Sequence, residues 1–126
     1  MAFTQPCFIR KNTPELRKKL EDLGYISHIF NNNDANNIYA DKLGTYISVD
    51  IENQPYYIDC GTNEQLFLAL AALRDDSDKW QLFIFDGIDV PDYFLQKGDM
   101  WICSLDKHLV ENCHKATVEE IIEHFK

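Results

Sequence analysis

The sequence predicts an α+β domain over residues 1–126, with a mixed or mainly antiparallel sheet of about five or six strands and three helices packed against it. Three observations lead there. Three segments carry helix-start signals followed by apolar residues at helical spacing. Short runs rich in β-branched and aromatic residues lie between them. The apolar fraction of 45% supplies material for a core, and a disordered chain would be poorer in it.

A strand-like run at 7–10 precedes the first helix. That helix starts from Thr13 as N-cap, with Pro14 at its first position and Glu15 beside the positive end of the dipole. Leu16, Leu20 and Leu23 fall on one stripe, and Gly24 is a stop in the left-handed conformation. A second run spans 25–30. The Asn-rich stretch at 31–37 reads as a mobile loop, because Asn and Asp bond their own backbone and tolerate left-handed conformations.

Runs at 45–50 and 56–59 are joined through Pro55 and read as a hairpin-like pair. In the first, Tyr46, Ser48 and Asp50 share one face and Ile47 and Val49 the other. The second helix follows Thr62, with Gln65 completing a capping box. Its body, LFLALAAL from Leu66 to Leu73, is apolar on nearly every side, which predicts burial on more than one face. A run at 80–85 follows, and its continuous Leu82-Phe83-Ile84-Phe85 reads as a central strand. A last run at 100–104 precedes the third helix, which follows Thr117 with Glu120 as a second capping box. Val118, Ile121, Ile122 and Phe125 form its apolar stripe.

Charge excludes some function classes. The net charge is −9, and residues 43–126 carry six Lys/Arg against sixteen Asp/Glu. Nucleic-acid affinity comes largely from Lys and Arg neutralising phosphates, so specific nucleic-acid binding is not expected. Anionic membrane surfaces are disfavoured for the same reason, and no apolar run is long enough to predict a transmembrane helix. The acidic excess suits a basic partner. Residues 1–10 show no export signal, which predicts a cytoplasmic protein whose Cys7, Cys60, Cys103 and Cys113 are free thiols.

Three blocks, NTPELRKKLEDLGY at 12–25, IDCGTNEQLFLALAALRDDSDK at 58–79 and HKATVEEIIEHFK at 114–126, resemble small uncharacterised proteins that recur in gut-anaerobe genomes, often among phage and mobile-element genes. The resemblance implies a context, the accessory genes of mobile DNA. It brings no activity, cofactor or site residue with it.

Few residues suggest chemistry. Cys60 lies between a strand and the start of the second helix, where backbone N–H groups and the dipole can lower a thiol pKa. A nucleophile there needs a histidine base, and His28, His108, His114 and His124 are all distant in sequence. A small buried residue at a strand-to-helix turn is the plainer role. Cys103, Cys113 and His114, with Cys60 or His108, could be zinc ligands, but the paired knuckles of structural zinc sites are missing. Asp50, Glu52 and Asp59 could hold Mg²⁺, yet solvated strand ends fit them better. Asp75-Asp76-Ser77-Asp78 lacks the Gly and distal Glu of a calcium loop. Arg10, Lys11, Arg17, Lys18 and Lys19 form the one basic cluster, which reads as a solvated face. The aromatic stretch at 87–95, with Tyr93 and Phe94, and the nearby Trp80 and Trp101 could mark an interface or pack in the core.

These residues favour a non-enzymatic protein-interaction or regulatory module that binds a protein partner, with no cofactor and no metal. One alternative is a small enzyme with Cys60 as nucleophile. Another is an acidic nucleic-acid mimic, which requires the acids to cluster on one face.

Overall fold

The computed structural model describes residues 3–51, 54–75, 80–87, 97–103 and 112–125. The elements run β1 (Cys7–Ile9), α1 (Pro14–Leu23), β2 (Ile26–Ser27), β3 (Asn37–Ala40), β4 (Thr45–Val49), β5 (Ile58–Asp59), α2 (Glu64–Ala71), β6 (Leu82–Phe85), β7 (Met100–Ile102), β8 (Cys113–Lys115) and α3 (Val118–His124). The fold is α+β, as the sequence predicts. Its strands divide into two sheets, one of five strands in the order β2-β4-β3-β1-β5 and one of three in the order β7-β6-β8. The larger is mixed, since β2 runs parallel to β4 and β5 parallel to β1, whereas β3 is antiparallel to both its neighbours. The smaller is antiparallel with β6 at its centre. Among the described residues no helix is long and apolar enough to cross a membrane.

The first helix forms as its ends dictate. Thr13 Oγ1 accepts from Leu16 N at 3.1 Å, and Gly24, at φ +115°, closes the helix by donating to Glu21 O. A side chain at Gly24 would be strained there and would sit 3.5 Å from the Phe3 ring. The capping box of α3 is complete: Thr117 accepts from Glu120 N, and the Glu120 carboxylate accepts from Thr117 N. The cap of α2 differs from the expected one. Asn63, not Thr62, accepts from Leu66 N, because Gly61 at φ +58° carries the chain one residue further before the helix begins.

Two strand expectations are corrected. The hairpin expected from 45–50 and 56–59 does not form. Both edges of β4 are taken, by β2 and β3, so β5 pairs parallel with the free edge of β1 through Cys60 N to Phe8 O and Arg10 N to Gly61 O. The hairpin is β3–β4 instead. The Asn-rich stretch is anchored to β4: Asn32 N donates to Ser48 O, Asn31 Oδ1 accepts from Ser48 N, and Asn36 N donates to Asp50. Its last residue, Asn37, opens the central strand β3.

Register explains the layers. Cys7, Ile9, Ile38, Ala40, Tyr46 and Ser48 share the face of the large sheet that meets the helices, and all are buried. Leu16 and Leu20 of α1 and Phe67, Leu70 and Ala71 of α2 complete that layer. One buried cluster continues from it to Leu82 of β6, Ala116 and Ile121 of α3. On the opposite face Phe8 stacks on Tyr39, Tyr57 meets Tyr39 edge-on, and both Asn37 and Tyr39 donate to Ile51 O, which draws the chain after β4 across the sheet.

Candidate groove over the second helix

The second helix presents two apolar stripes. Phe67, Leu70 and Ala71 face the sheet and are buried. Gln65, Leu68, Ala69 and Ala72, at i, i+3, i+4 and i+7, face the other way and floor an open groove of about 380 Å³. Lys19, Asp22 and Leu23 of α1 form one wall. Trp80, Leu82 and Ile102 form the other, and Phe125, after α3, closes one end. The lining is almost wholly apolar, with Lys19, Asp22 and Gln65 as its polar members. Trp80 and Ile102 remain 41% and 58% exposed. Trp80 adopts φ +65°, a conformation costly for a bulky residue, while its N–H donates to Cys103 O.

Polar side chains fix the floor at both ends. Asn63 Nδ2 donates to Phe125 O at 2.7 Å while its Oδ1 caps α2, so one residue holds the helix start and the groove's end wall. At the other end Tyr25 Oη donates to Ala71 O at 2.7 Å, and Gln81 bridges Ala72 O and Arg74 N. Burial pushes the Tyr25 phenol well above its usual range, so it stays a donor.

A second polar cluster fastens α3. His114 of β8 reaches Asp86 through Nδ1 at 2.7 Å and Glu120 through Nε2 at 2.9 Å. The two carboxylates, Glu120 most of all and then Asp86, push the imidazole above its ordinary pKa. Glu120 is held below the usual carboxylate range, first by Thr117 N–H and then by His114.

The residues singled out in the sequence are mostly apart from one another. Cys60 is buried beside Cys7, and its thiol points to Ile58 O at 3.7 Å. It lies outside the groove and three residues before the N-cap, with no histidine among its hydrogen-bond partners in the described residues. Burial, and then Cys60, pushes the Cys7 thiol up. Since Cys7 is opposite Ile58, Cys60 is its diagonal neighbour. All four cysteines are free thiols.

The zinc set is not assembled. Cys103 bonds the backbone at Gln81, whereas Cys113 is opposite Phe85 on the other side of β6. Those positions are four residues apart along the strand, ~13 Å. Both nitrogens of His114 are engaged by carboxylates, and His108 lies outside the described residues. Asp50 follows β4 and Asp59 is on β5, strands separated by β3 and β1, ~14 Å at ordinary strand spacing; Glu52 lies outside the described residues, as do Asp76, Ser77 and Asp78. The basic cluster is largely paired: Arg10 with Asp59 at 2.9 Å, Lys11 with Glu64 at 2.9 Å, and Arg17 with Asn12. Those cations hold Asp59 and Glu64 below the usual carboxylate range. Trp101 stacks on Phe83, and Tyr93 and Phe94 lie outside the described residues.

The groove itself was missed in the sequence, though its signal was present. A helix apolar all round, read as buried on several faces, can equally leave one stripe for something else to cover. Comparison with known proteins adds no family to this geometry: no family model, curated protein or solved structure matches the chain.

Proposed function

We propose that the chain is a non-catalytic module that binds another protein through the groove over α2, walled by α1 on one side and by Trp80, Leu82 and Ile102 on the other. The observation that supports it is the second apolar stripe of α2, where Leu68 and Ala69 are only partly buried at the floor of an open groove. Apolar surface rimmed by polar residues is found at interaction sites. None of the lining side chains pairs a nucleophile with a base. The Cys60 enzyme draws little support from a buried thiol outside the groove. The nucleic-acid mimic draws little from acids such as Asp59 and Glu64 that are paired with the protein's own Arg10 and Lys11. The resemblance to mobile-element proteins suggests an accessory role for the interaction.

The test is site-specific photo-crosslinking in cells that make the protein. A benzophenone side chain at Ile102, on the groove wall, is expected to give a discrete protein adduct that disappears when Ala69→Trp fills the groove. The same group at Tyr56, exposed on a different part of the surface, is expected to give none. Equal adducts from both positions, or an Ile102 adduct that survives Ala69→Trp, would remove the groove from the interaction.

A further inference from the structure

No further inference is drawn: the strongest candidate, the apolar groove over α2 between Leu23 of α1 and the exposed Trp80 and Ile102, carries one lysine and one aspartate on its lining among the described residues, and nothing in the structure shows what covers it.

Discussion

Asn63 makes two bonds with two ends of one side chain, and substitutions can separate them. Asn63→Ala removes the cap acceptor for Leu66 N and the donor to Phe125 O. Loss of an N-cap costs ~0.5–2 kcal/mol, and loss of an ordinary hydrogen bond ~0.5–1.5 kcal/mol. Together about 2 kcal/mol is expected. For a chain of this length that lowers Tm by roughly 6–10 °C. Asn63→Asp keeps the acceptor and adds a negative charge at the helix N-terminus, a gain of ~0.3–1 kcal/mol. It loses the donor and sets a carboxylate against the Phe125 carbonyl. The aspartate variant should therefore lie between wild type and alanine. Thr62→Ala, at an exposed residue outside the cap, should change stability by less than ~0.5 kcal/mol. Urea unfolding at neutral pH, with m-values compared to confirm that only the midpoint moves, gives all three numbers. If Thr62→Ala costs more than Asn63→Ala, the cap is misplaced. If aspartate is as stable as wild type or more so, Asn63 does not hold the end of α3.

Three further outcomes follow from buried or paired groups. Ser48 Oγ is fully buried with no hydrogen-bond partner among the described residues, so Ser48→Ala should leave stability unchanged or raise it by up to ~1 kcal/mol; a loss above that would mean the hydroxyl is bonded. Cys7 and Cys60 should resist iodoacetamide in the folded protein and react on denaturation, and rapid native labelling of Cys60 would favour the enzyme alternative. His114 has a raised folded pKa, so its contribution is fully present below the ordinary value of ~6.5 and is lost as pH rises through the folded pKa. Its side chain and both carboxylates are more than a third exposed, which limits the effect to ~1 kcal/mol. The stability difference between wild type and His114→Gln should shrink between pH 6 and pH 9, and a difference that stays constant would exclude the clamp.

What the sequence made legible was local. Thr13, Pro14 and Gly24 bound the first helix because caps act within four residues, and Thr117 with Glu120 bounds the third for the same reason. Strand partners are not local. Asn37-Ile38-Tyr39-Ala40 begins with a poor strand former, yet it is the centre of the large sheet because β1 and β4 satisfy both its edges and Ile51 O receives the Asn37 side chain. Cys113-His114-Lys115 has no apolar alternation and becomes a strand only because β6 offers an edge. The segment at 56–59 was misassigned because nothing in it records that both edges of β4 are occupied. The groove belongs to the same class. Periodicity shows that α2 has apolar residues to spare, but how many neighbours reach them depends on where α1, α3 and β6 are fixed.

Those fixings bear on how the groove would work. An apolar groove on a small domain tends to close, since each wall gains by moving onto the floor. Here each wall is tied at a polar bond that closure would break. Phe125 is held to the N-cap of α2 by Asn63, and α3 behind it is held to β6 and β8 by His114, Asp86 and Glu120. The Trp80 side is held by the bonds of Gln81 to the end of α2 and by the bond from Trp80 N to Cys103 O. Tyr25, whose Oη bonds the carbonyl of Ala71, fixes the end of α1 against the same helix. Each bond is worth only ~1 kcal/mol by itself, but closing the groove would break several at once and leave buried donors such as Tyr25 Oη unpaired. A groove held open before binding spares its partner the cost of reordering it, which is the main way a site of this modest size reaches useful affinity.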